Sequence, residues 1–538
     1  MTNARGTVAD ATVESLIDNG IDTLFCLPGV QNDHFFEAVY KVQDRIRPVH
    51  TRHEQGAAYM ALGAAMATGR PAAYCVVPGP GVLNTAGALC TAYACNAPVL
   101  ALTGQIPQRH IGAGHGFLHE LPDQLATMRS LTKWADRITG PQDAQPLVNE
   151  AFRQMTSGRP RPVALECAID VWGRRGEITR ESPRPPVRIA LDQEAVARAT
   201  ALLSTAERPL IVVGGGALHA ADEVQAISDL LQAPVVSNRM GRGILDSDDP
   251  LAVNWTTGHR LWGRADVVLA VGTRLQVQQM MWGVPVGTRI VRIEIDAVEM
   301  ERIAPPEVAI LGDAKDALHA LVEQLAGQDR PSRAAEIGAL KHQVADELAV
   351  LSIQKDFLSA IRSALPDDGI FVDELTQVGY ASRLLFPVHE PRTFLTPGYQ
   401  GTLGWGYATA LGAKVACPEK AVVSVSGDGG FMFNVQELAT AVQHGIGVVA
   451  IVFDDGAFGN VRRLQQQQFG HTIVSDLRNP DFVALARSFG MAAVKVEDAR
   501  GLESAVRDGL KSGAPLLIHV PVGAMPDPWK FINMPRIA

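Results

Sequence analysis

Two apolar strands in this chain run out into acid and glycine. VSVSGDGGFMFN (423–434) delivers Gly427, Asp428, Gly429 and Gly430, and IVFDDGAFGN (451–460) delivers Asp454, Asp455 and Gly456. In an open parallel sheet ligands bind beyond the carboxyl ends of the strands, so Asp428 and Asp455 are expected on one rim. Two carboxylates with a backbone carbonyl make a hard-oxygen set suited to Mg²⁺, with phosphate oxygens completing the shell. The glycines let a ligand reach the backbone, and a helix expected from about Asn434 would aim its N-terminus at an anion. The same spacing also fits two acidic caps at helix starts.

Other chemistries find less support. GDGGFMFN lacks GxGxxG spacing, VVGGGALHA (212–220) fits it only loosely, and there is neither a Walker lysine nor a GxSxG elbow. The six cysteines form no CxxC pair and read as buried thiols. Net charge is −9 with no basic tract, which argues against nucleic acid and anionic membranes as partners. The N-terminus opens on a helix pattern without a signal-peptide core, and no apolar run reaches the ~18 residues of a membrane span. A cytoplasmic protein is expected.

The 538 residues are too many for one core. Strands alternate with amphipathic helices throughout, predicting an α/β protein of three doubly wound parallel-sheet domains. Their expected extents are 1–180, 190–330 and 351–538. The first holds the strands DTLFCLPG (22–29), PAAYCVVPGPG (71–81) and PVLALTGQIP (98–107), with a small-residue helix at 54–69. A polar, Pro-rich stretch at 176–194 reads as a linker. The second starts at RPLIVVGGG (208–216). The third carries GIFVDE (369–374) and both acidic strand ends. The first and third share a rhythm of strand, small-residue helix, strand and glycine turn.

GDGGF followed by FDDGAFGN resembles the diphosphate- and metal-binding signature of the thiamine diphosphate-dependent enzymes. TRHEQGAAYMALGAA (51–65) looks like that family's catalytic-glutamate helix, VPGPGVLN (77–84) like the turn after it, and TGQIP (103–107) like the next strand end. GYQGTLGWGYATALGAK (398–414) is similar to the segment over the cofactor, and GAMPDPWKFI (523–532) to tails of the acetolactate synthase-like branch. These stretches occur in family order and span nearly the whole chain. One departure stands out: the family signature usually ends in two asparagines, and here Asp454 and Asp455 replace them.

The resemblance implies roles. Glu54 would be the catalytic carboxylate, on a largely apolar helix where low dielectric strengthens its bond to the cofactor's pyrimidine ring. Asp428, Asp455 and the carbonyl of Ala457 would hold Mg²⁺. Leu403, between Gly401 and Gly404, would prop the cofactor in its bent shape. Gly427, Gly429, Gly430, Phe458 and Gly459 would border the diphosphate, as would Gln377 and Gly379. Pro28, Gly29, Gly79 and Asn84 would contribute from the pyrimidine-binding domain. Val30, Gln31 and Asn32 occupy the loop facing the reactive carbon, and His115 and His119 lie where synthase-like members place a glutamine.

The implied cofactors are thiamine diphosphate and Mg²⁺. The central domain would carry FAD, ADP or nothing, depending on branch. The implied partner is a second copy of the chain, in a homodimer or homotetramer with active sites between chains. The implied activity is decarboxylation and/or C–C ligation of a 2-oxo acid by a lyase or transferase. A decarboxylase or C–C hydrolase of a larger oxo compound is the alternative, and a non-catalytic cofactor-binding regulatory protein the rival from another class.

Overall fold

The computed structural model describes residues 4–537. It contains three six-stranded sheets, each wholly parallel and flanked by helices. The first block opens with β1 (Ala4–Thr7) and closes with β8 (Arg175–Ile178), which pair antiparallel. So the stretch read as a linker begins as a strand, because β1 offers it a partner. Between them lie β2 (Thr23–Cys26), β3 (Arg47–His50), β4 (Ala72–Val76), β5 (Val99–Gln105), β6 (Ala135–Ile138) and β7 (Val163–Ala168), in the order β3-β2-β4-β5-β7-β6.

The central sheet holds β9 (Pro209–Val213), β10 (Val235–Ser237), β11 (Ala252–Val253), β12 (Val267–Val271), β13 (Arg289–Glu294) and β14 (Val308–Leu311), in the order β11-β10-β9-β12-β13-β14. The third holds β15 (Ile370–Asp373), β16 (Phe394–Leu395), β17 (Val422–Gly427), β18 (Val449–Asp454), β19 (Ala492–Lys495) and β20 (Leu516–Pro521), in the order β16-β15-β17-β18-β20-β19. The first and third sheets therefore share one topology. Each reverses direction next to its first strand, between β2 and β4 and between β15 and β17, and a crevice opens at such a switch point.

The first and third sheets share a core. The Glu54–Thr68 helix starts with the His53 ring accepting the Gln55 N–H and ends at Gly69 in the left-handed region. It is buried on nearly every side, as its run of Ala, Gly and Met anticipates. It crosses the Trp405–Ala416 helix of the third block with the two backbones in contact. A Cβ on Gly63 would lie 1.9 Å from the Thr409 carbonyl oxygen, and one on Gly412 would lie 1.9 Å from that of Met60. Only glycine permits that approach. Tyr59, Leu62, Trp405, Leu411, Val372 and Val422 join one apolar cluster around the crossing.

The chain's tail returns to the central domain, where Trp255 donates to the Ile532 carbonyl (3.0 Å) and His259 meets the Pro535 carbonyl (2.8 Å). No described helix is long and apolar enough to cross a membrane.

Candidate active site

β17 is an apolar run that must end where backbone reaches solvent, and it ends at Gly427. Asp428 then opens a single helical turn, Asp428–Phe431, and the longer helix begins only at Glu437. The expected helix start near Asn434 is thus corrected. The Asn434 amide donates to the Gly404 carbonyl instead of capping a helix, and so ties the turn to the segment carrying Leu403.

Asp428 is buried and accepts the Asn479 amide (2.6 Å). Burial pushes its carboxyl up to about 6, and the nearby Asp455 and Asp454 add to the rise. Asp454 shares the Asn479 amide with Asp428. Its Oδ1 accepts Asn479 (2.8 Å) and the Gly456 N–H (3.1 Å), and its Oδ2 meets His519 Nε2 (3.0 Å). Burial raises its pKa, but these hydrogen bonds outweigh burial and hold it below the usual carboxylate value. Asp455 accepts Gln377 Nε2 (2.7 Å) on Oδ2 and the Ala457 N–H (3.2 Å) on Oδ1.

A cleft of about 680 Å³ opens at these strand ends. Every third-domain residue expected at the cofactor lines it, Gly379 excepted: Gln377, Gly401 and Leu403 on one side, Gly427 to Gly430 at the β17 end, and Asp455, Ala457, Phe458 and Gly459 at the β18 end. Gly379 lies inside the Gln377–Leu385 helix, where its Cβ position is 1.9 Å from the Glu374 carbonyl oxygen. It is a close-packing glycine off the cleft wall.

Sequence reasoning missed Thr376 and Glu374. Thr376 lines the cleft as N-cap of that helix, with its hydroxyl making no cap bond. Glu374 is fully buried beneath the Leu403 segment. It accepts the Gly404 N–H (2.5 Å) and the Ser426 hydroxyl (2.6 Å), and burial pushes it up to about 7. A Cβ on Gly430 would strike its Oε1. Glu374 directly follows β15, so the strand-end rule that found Asp428 would have found it too.

The first-domain residues gather at the matching rim of their own sheet. Glu54 is the first residue of its helix, with 14% of its side chain exposed, and its Oε2 accepts the Asn84 amide (2.9 Å). Asn84 thus acts on Glu54. The Pro28–Gly29 turn ends β2, and a Cβ on Gly29 would lie 2.4 Å from Val77. Gly79 has φ of 61° and donates to Gln124 (2.9 Å). The loop carrying His119 lies directly on Gly79, and His119 Nδ1 meets Gln31 Oε1 (3.2 Å). Val30 is exposed, whereas Asn32 is fully buried and donates to the Val76 carbonyl (2.8 Å). His115 belongs to an exposed ring cluster with His110 and Phe117, apart from Gln31.

Among the described residues none of the first domain lines the cleft. Glu54 thus does not share this cleft with Asp428 and Asp455. The loop before Glu54 is held from the third domain, because the Glu437 carboxylate accepts the N–H groups of Arg52 (3.2 Å) and His53 (3.1 Å).

The donor chemistry fits a divalent cation with a diphosphate. Burial first, and then the neighbouring Asp455 and Asp454, disfavour the charged form of Asp428, so positive charge beside it is favoured, and oxygen-only donors suit Mg²⁺. The free helix start at Thr376 and the glycine rim suit phosphate oxygens. The central domain fits FAD less well. Its switch-point glycine turns bond to each other, Gly216 N–H to the Gly272 carbonyl (3.1 Å). The acids at the β13 end are engaged by Arg159 of the first domain, with Glu294 at 3.1 Å, Glu299 at 3.2 Å and Asp296 at 3.7 Å. This arrangement does not favour a flavin dinucleotide.

Comparison with known proteins meets this geometry. Three profiles of thiamine pyrophosphate (thiamine diphosphate) enzymes match the chain: the N-terminal TPP binding domain over residues 6–127, the central domain over 196–321 and the C-terminal TPP binding domain over 376–520. A probable 2-ketoarginine decarboxylase of Pseudomonas aeruginosa is 34% identical over 529 residues, covering 96% of this chain and 94% of the relative. A probable acetolactate synthase large subunit of Methanocaldococcus jannaschii is 31% identical over 556 residues, covering 96% and 93%. The acetolactate synthase isozyme 1 large subunit of Escherichia coli is 27% identical, covering 97% and 95%. The chain belongs to the thiamine pyrophosphate enzyme family, in its acetolactate synthase-like branch.

Proposed function

We propose that the chain catalyses the Mg²⁺-dependent decarboxylation of a 2-oxo acid with thiamine diphosphate, the acyl unit being released or ligated to a second carbonyl. The observation that carries this reading is the pairing of buried Asp428 with Asp455 at one glycine-rimmed cleft. One relative is named for decarboxylating a 2-oxo acid and others for synthesising acetolactate. When bound, the cofactor supplies an electron sink for the carbanion left by C–C cleavage.

The chain's own residues divide the remaining work. Asp428, Asp455 and the Ala457 carbonyl hold the cation, and the amides near Thr376 and Gly429 take phosphate oxygens. Leu403 is a stiff prop because Glu374 and Asn434 grip Gly404 on its N–H and carbonyl sides. Glu54, oriented by Asn84, holds or releases a proton at its carboxyl toward the pyrimidine ring. Val30, Gln31 and His119 bound the substrate side of the first-domain rim.

In this reading the site is completed by a second chain, whose first-domain rim faces this chain's cleft. The support is that Glu54 does not share the cleft with Asp428 and Asp455 and that both rims expose apolar residues, Val30, Leu83 and Leu118 on one, Phe433, Leu464 and Phe469 on the other. A homodimer is the smallest such assembly, and a homotetramer is a pair of these dimers.

The test is a panel of 2-oxo acids from pyruvate to long polar chains, each with and without thiamine diphosphate and Mg²⁺. Carbon dioxide and products are followed by mass spectrometry. Cofactor-dependent carbon dioxide release from at least one acid is expected, and none from any would refute the reading.

A further inference from the structure

Asp455 stands where the family signature usually carries asparagine, and its hydrogen bonds show what demands the acid. Gln377 is the first residue of its helix and spans two fixed partners. Its Oε1 accepts the Met525 N–H (3.1 Å) and its Nε2 donates to Asp455 Oδ2 (2.7 Å). The Met525 N–H cannot turn away. Its segment is pinned on one side by the Val522 N–H on the Asp454 carbonyl (2.8 Å), and on the other by Gln354 donating to the Pro526 carbonyl (2.6 Å). A backbone donor facing the Gln377 amide fixes which end is oxygen. The other end must then be NH₂, and whatever it meets must accept.

Residue 455 faces donors on both sides, Gln377 Nε2 at Oδ2 and the Ala457 N–H at Oδ1. A carboxylate satisfies both. An asparagine would turn its own NH₂ toward one of them and leave two donors opposed. Rotating Gln377 to relieve this only moves the clash to Met525.

We propose that Gln377 is a positioning residue that fixes the metal-binding carboxylate of Asp455 and ties it to the C-terminal tail, and that its amide polarity is what requires an acid at 455. The metal role rests on the function proposed above, whereas the hydrogen-bond pairing does not. Exchanging the two side chains should restore the pattern. With Gln377→Glu, the new carboxylate accepts both the Met525 N–H and the NH₂ of an Asp455→Asn side chain, whose oxygen stays on the Ala457 side. The net charge of the pair is unchanged.

The experiment compares wild type, Asp455→Asn, Gln377→Glu and the double variant at pH 8. Thermal unfolding is measured on full-length apoprotein in EDTA, and thiamine diphosphate binding is titrated at several Mg²⁺ concentrations. Each single change should lower the unfolding midpoint and weaken cofactor binding by about tenfold. The double variant should return to within about threefold of wild type, because neighbouring sites are not additive. Losses that multiply to about a hundredfold, with no recovery of the apoprotein midpoint, would overturn the proposal. A recovered midpoint without recovered Mg²⁺-dependent binding would uphold the pairing and overturn the claim that positioning is what the metal site requires of residue 455. A Gln377→Ala background guards against misfolding of Gln377→Glu. There Asp455→Asn should cost the apoprotein little, and an undiminished cost would also overturn the proposal.

Discussion

Glu437 of the third domain accepts the backbone N–H of His53, the residue immediately before Glu54, at 3.1 Å. Its other oxygen takes the Arg52 N–H and the Thr440 hydroxyl, so one buried carboxylate holds the start of the first-domain helix. The placement also sets negative charge at a helix N-terminus, where the dipole favours it. Glu437→Ala strands three donors, and chemical denaturation should show a loss of about 3 kcal/mol or more. Glu437→Gln keeps the shape but turns an NH₂ toward one donor and should lose roughly half as much. Wild-type stability of the alanine variant would show that the helix start is held by other contacts.

Glu374 makes stability fall with rising pH. Burial raises its folded pKa to about 7 from the ordinary 4.5, so its contribution is fully present below pH 4.5 and is lost as pH climbs through 7. A shift of that size amounts to about 3 kcal/mol. Glu374→Gln, whose NH₂ can donate to Ser426, should flatten the stability profile between pH 4.5 and 7. Parallel profiles for the two proteins would show that Glu374 does not titrate there.

The helix crossing should tolerate no side chain. Gly63→Ala places a Cβ 1.9 Å from the Thr409 carbonyl oxygen, and neither backbone can yield. The expected loss is at the upper end of about 1–3 kcal/mol for overpacking. Gly338, inside the Ala334–Leu348 helix with open space around it, is the control. Gly338→Ala should gain about 0.5–1 kcal/mol from helix propensity alone. Equal effects at the two sites would rule out a crossing that is uniquely tight.

The sequence made the strand ends legible and left their partners hidden. Gly427, Asp428 and Asp455 are found because a strand's apolar run and the glycine that stops it are local signals. Gln377, Asn479 and Glu437 act on residues far along the chain, and nothing near them records that distance. A helix is expected from about Asn434, yet its amide finds the Gly404 carbonyl, a contact that exists only once both segments are folded. Gly379 lies between the cleft residues Gln377 and Tyr380 without lining the cleft itself, and its lack of a side chain answers the Glu374 carbonyl rather than a ligand.

The proposed assembly, in which one chain's Glu54 serves the cleft of another, implies complementation. Glu54→Gln and Asp428→Ala should each be inactive alone. Subunit exchange between them should restore up to about a quarter of the sites, the share of random dimer sites that combine both intact halves. Sedimentation should show no active monomer. A fully active monomer, or no recovery after proven exchange, would contradict a site shared between chains.

In the proposed function Glu54 activates a cofactor anchored elsewhere, at Asp428 and Asp455. Hydrogen–deuterium exchange at the thiazolium carbon of bound thiamine diphosphate tests it most directly, measured by NMR on wild type and Glu54→Gln at saturating cofactor and Mg²⁺. Exchange should slow by about two orders of magnitude or more, the usual scale for a positioned acid–base group. Cofactor affinity should stay within about tenfold, or ~1.4 kcal/mol, of wild type. Exchange at the wild-type rate in Glu54→Gln would contradict it.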